Sequence, residues 1–498
     1  MTPESESPLQ LTLPPDDYQC EAELAGANGH AVRLSGILHL EASLPPRLRL
    51  HGDVPLAGEP NPDGTVGYRF PQISEWPSLR VDLVNGRDVL LVDCKVTRFP
   101  SRATVDAAAA VLGLGGFRNP LHRTRRRNFD DDEPGLFDGM RIQISGCDAI
   151  IAPPPIAATS PPPQKREPDA PLTWSVMERL PRSVVASDNV ARVECSWPCS
   201  FSVPNGYQHR VRFSPVIEVT LTEPVDLRKL ATDWIEPLHR LIGLSTWRQE
   251  KITYLAVHPA AAKDQRHLQV FGSNITQQPY ASDDNEVLRT RRAFQCWDTD
   301  DASLLDLLRG WQRAQHDRHP LVETLAAFMF LPAQEPRPRF LLLIQALEGL
   351  YGHEHADRID ARNTQQRERR RQVIEALNQC EHLEPGDRRF IKDNLPKRAV
   401  SSLEPALRYV VNILPVDLEP DLQALAITHQ VIADNDNAKD WAAALRVVRN
   451  DLSHGTRTWD SDLLEPAAGI LEKVARCHLM RTIGCREDDI AAFLHRPG

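Results

Sequence analysis

The C-terminal part of the chain carries apolar residues at helical spacing. Between residues 437 and 454, four large apolar side chains recur at intervals of four, three and four residues: Trp441, Leu445, Val448 and Leu452. This spacing places them on one face of a helix. Side-chain acceptors in residues 434–437 predict the N-cap, and Gly455 predicts the end of the helix. The pattern therefore predicts a well-delimited helix that packs through a single face.

Helical periodicity extends over all of residues 300–498, which predicts an all-α domain. The most apolar run, residues 340–351, predicts a helix at the centre of a bundle, and Glu348 lies within it. A carboxylate among apolar neighbours is costly unless it is paired. We therefore expect Glu348 either to have an Arg or His partner or to lie at the edge of the bundle.

Residues 1–295 show the two-residue alternation that is typical of strands. In residues 79–99, two alternating runs flank Asn85-Gly86, the preferred pair for a tight hairpin turn. Further strands are predicted at residues 31–40, 140–151 and 208–222, with a short helix at 233–244. A Pro-rich segment, residues 152–171, is predicted to be a loop or linker. The expected fold is α+β and multidomain, with a β-rich N-terminal region followed by an all-α helical bundle.

Composition and charge narrow the function classes. The chain has 58 basic and 68 acidic residues and a net charge of −10, which excludes coating of nucleic acid through bulk charge. No apolar run approaches the roughly 20 residues needed to span a bilayer. The acidic N-terminus also lacks the features of a secretory signal. We expect a cytoplasmic protein without membrane contact.

Neither a metal nor a cofactor is expected from the sequence. The nine Cys are scattered, and the close pair Cys195 and Cys199 has no second pair at zinc-site spacing. The His and Asp residues of the β-rich region show no spacing that would bring them together. Surface or core roles are therefore expected for them.

A local excess of positive charge lies in residues 362–398. Its densest part is a block of four arginines: Arg367, Arg369, Arg370 and Arg371. Such a block draws phosphates and is a candidate RNA-binding surface, but a basic run on a helix is more often simply a solvated face.

The end of the helix at residues 437–454 is not explained by core packing. Arg449-Asn450 is followed, four residues later, by His454. This arrangement resembles the R-x(4–6)-H motif of the HEPN superfamily of endoribonucleases, and the wider layout looks like the ApeA family of anti-phage abortive-infection proteins. The same pattern also fits two pairs near the start of the helical region, Arg313/His319 and Arg309/His316. Context favours Arg449/His454, which ends a strongly amphipathic helix.

The resemblance implies a metal-independent endoribonuclease that cuts host RNA, such as tRNA, and responds to a phage-derived trigger at the N-terminal region. Arg449 would bind and stabilise the phosphate, His454 would be the acid/base, and Asn450 and Glu348 would support them. The chemistry is adequate, because RNA supplies the nucleophile in its 2′-hydroxyl, His titrates near neutrality and Arg offers a planar fork of donors.

Helix geometry constrains such a site. Residues 449 and 454 differ by about 500° of rotation on an ideal helix, which leaves them about 140° apart. Either the helix loosens near Ser453, or two chains of a homodimer supply the site, as the resemblance implies.

An alternative is a non-catalytic HEPN domain that binds a nucleotide or a protein, with a β-rich ligand-binding domain. In that case Arg449 and His454 would simply satisfy carbonyls of the last helical turn. A catalytic site requires both side chains to be exposed in one basic cleft.

Overall fold

The structure is a computed structural model. It describes residues 8–25, 31–60, 66–113, 135–151, 155–160, 175–180, 183–205, 208–260, 267–282, 292–296, 302–330, 334–380, 382–398 and 403–495. The chain divides into two compact units, residues 1–308 and 309–498. Most of the Pro-rich segment 152–171 lies outside the described residues; its described part contains a strand, β10 (Ile156–Ser160), which pairs with β11 (Ser175–Glu178).

The first half of the N-terminal unit is a closed antiparallel barrel. Its strands are β1 (Asp16–Ala25), β2 (Ala31–Leu40), β3 (Arg47–His51), β6 (Gln72–Leu83), β7 (Asp88–Phe99) and β8 (Arg102–Leu112). They follow the order β8-β3-β2-β1-β6-β7, and β7 pairs back onto β8. Inward-facing side chains such as Leu24, Leu38 and Val105 are fully buried. Closure pairs both edges of the sheet and leaves alternate residues to fill the interior.

The hairpin predicted at Asn85-Gly86 is confirmed. It joins β6 to β7, and Gly86 has a φ of 85°, a conformation that glycine adopts without steric cost. The backbone N–H of Leu83 donates to the carbonyl of Arg87 at 2.8 Å. A two-strand ribbon of β4 (Glu59–Pro60) and β5 (Val66–Gly67) precedes the hairpin.

The second half of this unit extends the sheet. Its strands are β12 (Ser183–Ser187), β13 (Ala191–Ser196), β16 (Val216–Asp226), β9 (Leu136–Ile144), β17 (Ile252–Pro259) and β18 (Leu268–Gly272), in that spatial order. The last of them, β18, pairs with β8 of the barrel. A continuous helical segment follows β16 and consists of α2 (Leu227–Leu230), a π-helical stretch (Ala231–Ile235) and α3 (Glu236–Thr246). The predicted helix at 233–244 is thus confirmed, with Trp234, Leu238 and Leu241 buried.

Two strand predictions need correction. The run 140–151 is a strand only as far as Ile144; Gly146, at a φ of 81°, then begins the short helix α1 (Cys147–Ile150). The run 208–222 is two strands, because Pro215 has no N–H to donate to a ladder. The first of them, β15 (Gln208–Phe213), pairs with β14 (Cys199–Asn205) in a separate ribbon.

The C-terminal unit is helical, so the coarse α+β class is confirmed. The division between the units falls within the first helix of this part of the chain. The helices are α4 (Leu304–His316), α5 (Pro320–Phe330), α6 (Pro336–Glu354), α7 (Ala356–Gln379), α8 (Pro385–Asn394), α9 (Leu403–Asn412), α10 (Glu419–Ala424), α11 (Ala426–Asp434), α12 (Trp441–His454), α13 (Ser461–Ile483) and α14 (Glu487–Leu494). Helix α6 is central, with Phe340, Leu343 and Leu347 fully buried, whereas α7 and α8 bury no residue. Within the described chain, none of the helices combines the length and apolarity that crossing a membrane requires.

Helix α12 carries the predicted stripe, and its four residues Trp441, Leu445, Val448 and Leu452 are buried. Its end at Gly455, with a φ of 68°, is also confirmed. Its start is not as predicted. The N-cap is Asp440, whose carboxylate accepts from the N–H of Ala443, because α11 continues to Asp434 and Asn435 caps its own turn by accepting from the N–H of Asn437.

Candidate functional site

Arg449 is tied to Glu348, the carboxylate that the sequence placed inside an apolar helix. Its Nη2 donates to Oε2 of Glu348 at 3.1 Å and joins α12 to α6. The expected arginine partner of Glu348 is therefore Arg449 itself. The two side chains are 36% and 33% exposed, so the pair lies at the edge of the bundle and both groups remain open to a ligand.

His454 is the last helical residue of α12, and it is exposed. Among the described residues, none is recorded as a hydrogen-bond partner of its ring. The helix keeps its α-helical form through Ser453 and His454, so the loosening considered from the sequence does not occur. Arg449 and His454 of one chain therefore point about 140° apart around the helix axis.

Asn450 lies between these two side chains around the helix. It is about 100° from Arg449 and about 40° from His454 in projection. Its Oδ1 accepts from Nη1 of Arg449 at 3.2 Å. The amide NH₂ of the same side chain is a donor, so Asn450 can fix Arg449 with one end and offer a hydrogen bond to substrate with the other.

Asp451 takes no part in this arrangement. Its Oδ1 accepts from the hydroxyl of Thr456 at 2.9 Å, and its Oδ2 accepts from Nε1 of Trp459 at 3.2 Å. Two residues after Arg449, it lies about 160° away from it around the helix. Its carboxylate therefore holds the turn that follows α12, on the side opposite to Arg449.

Sequence reasoning missed Arg337, which fixes the end of α12. Its Nη2 donates to the carbonyl of Leu452 at 2.9 Å, so a cation lies at the negative end of the helix dipole. Arg337 and Glu348 are eleven residues apart on α6, about 20° in projection, so one face of α6 holds both the end of α12 and Arg449. The sequence did contain a signal for this contact. Arg337 is a cation in the first turn of α6, where the helix dipole disfavours positive charge unless a partner stabilises it.

The arginine block lies on α7, and its members make different contacts. Arg370 donates to the carbonyls of Lys392 and Leu395 and so fastens α8 to α7. Arg371 pairs with Glu368 at 2.8 Å. Arg367, Arg369 and Arg371 are exposed. Across the described part of the chain, no hydrogen bond or ion pair joins this block to Arg449 or His454, and its role in RNA binding stays a prediction.

The competing pair Arg313/His319 is poorly suited to catalysis. His319 is buried, and burial, with a smaller effect of His353, lowers its pKa to about 4. A buried neutral imidazole exchanges protons poorly with a substrate near neutral pH. Arg309 and His316 lie seven residues apart on one face of α4 and remain a second match to the pattern.

The β-rich unit holds a cluster that the sequence did not predict. Ligand atoms of Glu218, His258 and His267 lie within 4.8 Å of one another. No spacing in the sequence indicated that His residues of this region would meet, but strand pairing places His258 beside His267, with Glu218 near both.

We compared the chain with family models, curated proteins and solved structures, and none of them matches it.

Proposed function

We propose that the helical unit is a metal-independent endoribonuclease of the HEPN type that acts as a homodimer in anti-phage abortive infection, under the control of the β-rich unit. The proposal rests on the arrangement of side chains at the end of α12. There Glu348 and Asn450 orient Arg449, and the exposed His454 ends the same helix. An oriented guanidinium and a solvent-accessible imidazole are the minimum that RNA cleavage through the 2′-hydroxyl requires, and in the proposed dimer they come from different chains.

In the proposed reaction the ribose 2′-oxygen attacks the adjacent phosphorus and the bond to the 5′-oxygen breaks. His454 takes the 2′-hydroxyl proton or protonates the departing 5′-oxygen. Arg449 donates to the phosphate oxygens, on which negative charge accumulates in the transition state. The products carry a 2′,3′-cyclic phosphate and a 5′-hydroxyl.

Glu348 orients Arg449 without consuming all of its donors. A guanidinium has five N–H groups, and the two recorded hydrogen bonds of Arg449 run to Glu348 and Asn450. The remaining donors suffice for a bidentate contact to phosphate. Because the ion pair is about two-thirds buried, it fixes the guanidinium while leaving it in contact with solvent.

The proposal includes a second chain because α12 is a regular helix through His454. Arg449 and His454 of one chain are about 140° apart around the helix axis, so their side chains face different directions. A symmetric dimer that packs the two α12 ends together would place Arg449 of one chain beside His454 of the other.

A second candidate is a non-catalytic module that binds a nucleotide or a protein partner through the same surface. The observation in its favour is the Arg449–Glu348 ion pair, which satisfies the guanidinium within one chain. A binding module needs Arg449 to recognise phosphate, but it does not need His454.

Expression in bacteria, with and without phage infection, distinguishes these functions. We expect the wild-type chain to arrest growth, at least on infection, and the Arg449→Ala and His454→Ala variants to be harmless at equal protein levels. His316→Ala is the matched control, because His316 is also an exposed histidine that ends a helix. Growth arrest that survives His454→Ala, or wild type and His454→Ala that are equally harmless in infected cells, contradicts the nuclease.

A further inference from the structure

Three possible metal ligands converge on one face of the extended sheet. Glu218 belongs to β16, His258 to β17, and His267 immediately precedes β18. Nε2 of His258 is in hydrogen-bond contact with Nδ1 of His267. It also lies 4.0 Å from Oε1 of Glu218. Two imidazoles and one carboxylate thus face a common point.

Strand register explains this convergence. In the antiparallel ladders, Glu218 is opposite Arg141 of β9, and His258 is opposite Gly139 of the same strand. Val257 pairs with Leu268, so the next pair along the ladder is His258 and His267. The glycine is required here, because a Cβ at residue 139 would lie 3.2 Å from Nδ1 of His258 and would collide with the carbonyl of Val219.

Metal ligation requires neutral imidazoles, and burial disfavours the charged form of both rings. Burial lowers the pKa of His258, against the opposing charges of Glu218 and Asp138. Burial, followed by Arg141 and His258, lowers the pKa of His267 to about 4. A ring nitrogen of each can therefore offer a lone pair.

Hydrogen bonds from Arg141 hold the carboxylate of Glu218 in place. Its Oε2 accepts from Nη2 of Arg141 at 2.7 Å and from Nε at 3.1 Å. Oε1, the other oxygen, faces His258. A hydrogen-bonded ligand of this kind is oriented before a metal arrives. The positive charge of Arg141 disfavours a bound cation. The negative charges of Glu218 and of the neighbouring Asp138 offset this effect.

We propose that Glu218, His258 and His267 bind one divalent transition-metal ion, Zn²⁺ by preference, in the N-terminal unit. Two nitrogen ligands and one carboxylate oxygen, with water in the fourth position, form a common open zinc site. The two rings must separate slightly to admit an ion, and the partly exposed His267 gives the site that freedom. A bound ion would connect β16, β17 and β18, and β18 also pairs with the barrel strand β8.

A neutral His–His hydrogen bond with no metal is the competing explanation. In that case one ring donates to the other, and Glu218 serves only Arg141. The two explanations differ in whether the purified chain takes up a metal through these residues.

The test is to titrate the metal-stripped, full-length chain with Zn²⁺ and to measure the binding by calorimetry. We expect one ion per wild-type chain, and an affinity weakened on the order of 100-fold or more in His258→Gln and in His267→Gln, because each loses a ligand. His39→Gln is the matched control. His39 also contacts a carboxylate, Oδ1 of Asp17 at 2.5 Å, but it belongs to no cluster of three ligands among the described residues.

A spectroscopic measurement on the wild-type chain keeps the test independent of variants that fail to fold. Co²⁺ bound by nitrogen and oxygen gives ligand-field bands without the thiolate charge-transfer band that cysteine ligation produces. Glu218→Gln, at a partly exposed position, adds a mild variant that retains an acceptor for Arg141. No uptake of Zn²⁺ by the folded wild type, a thiolate band, or equal Zn²⁺ affinity in the folded histidine variants overturns the proposal.

Discussion

The guanidinium of Arg449 on α12 and the carboxylate of Glu348 on α6 lie 3.1 Å apart. A pair with this exposure contributes only about 0–1 kcal/mol to stability. Its importance lies in orientation, because it holds the guanidinium near the end of the helix that presents His454.

Glu348→Ala should therefore slow RNA cleavage by about tenfold while changing the free energy of unfolding by less than about 1 kcal/mol, since Arg449 loses its orientation but little packing is removed. Glu404→Ala is a closely matched control. Glu404 on α9 pairs with Arg446 on α12 at 2.7 Å, and the side chain of Glu404 is 29% exposed. Equal cleavage rates in the two variants, measured at equal folded fraction, would show that Glu348 does not orient a catalytic group.

Arg449→Lys separates charge from geometry. Lysine keeps the positive charge but loses the planar fork, so we expect a cleavage rate lower by on the order of 100-fold with RNA affinity changed far less. Arg446→Lys, one turn earlier on α12, should leave the cleavage rate unchanged. Single-turnover kinetics and filter binding give the two quantities; a loss of affinity without a loss of the chemical rate would show that Arg449 binds RNA but does not stabilise the transition state.

Asp451 should matter for stability alone. Asp451→Ala removes the hydrogen bonds to Thr456 and Trp459, and we expect the free energy of unfolding to fall by roughly 1–2 kcal/mol. The cleavage rate per folded molecule should not change, because both oxygens of this carboxylate are hydrogen-bonded to Thr456 and Trp459 and neither contacts Arg449. Urea titration and an activity assay on the same samples test both statements, and a variant that is inactive although fully folded would contradict the second.

Acid should destabilise the helical unit through buried histidines. Burial lowers the pKa of His319 to about 4 and that of His478 to about 4, from an ordinary value of 6.5. The unfolded chain thus binds these protons at a higher pH than the folded chain does. Stability is then constant above pH 6.5 and falls as the pH drops from 6.5 toward 4, by about 2 kcal/mol per histidine at pH 5.

Replacement of one of these histidines should flatten that dependence. We expect His319→Gln to reduce the slope of unfolding free energy against pH, and the exposed-site variant His316→Gln to leave it unchanged. Urea midpoints at pH 7, 6 and 5 measure the slope. An unchanged slope in His319→Gln would mean that His319 is protonated alike in the folded and the unfolded chain.

The sequence predicted features that depend on local patterns. Helix α12 has its stripe and its glycine end within eighteen residues, and the hairpin at Gly86 depends on two neighbouring residues. The start of α12 was misplaced because residues 434–437 and Asp440 all offer capping side chains, and only the length of α11 decides between them.

Features that depend on long-range pairing could not be predicted. Glu218, His258 and His267 meet because β9 lies between β16 and β17, an order that no local pattern encodes. Arg337 meets Leu452 through the packing of α6 on α12, across more than a hundred residues of sequence. Periodicity identified both helices and gave no information on how they cross.

The proposal that two chains form the site has its own test. Mixing Arg449→Ala with His454→Ala chains should restore part of the activity, because a mixed dimer holds one intact Arg449 facing one intact His454. Each variant alone should remain inactive. Recovery on mixing supports a shared site, whereas an unchanged lack of activity in dimers shown to exchange chains would mean that both groups must come from one chain.

Incubation of purified wild type, His454→Ala and His316→Ala with total bacterial RNA is the most direct test of the central claim. The reactions contain no added metal and are repeated with an extract of phage-infected cells. We predict fragments with 2′,3′-cyclic phosphate and 5′-hydroxyl ends from wild type and His316→Ala, and none from His454→Ala. Fragments that persist in His454→Ala, or no fragments from wild type even with the infected extract, would contradict an endoribonuclease that uses Arg449 and His454.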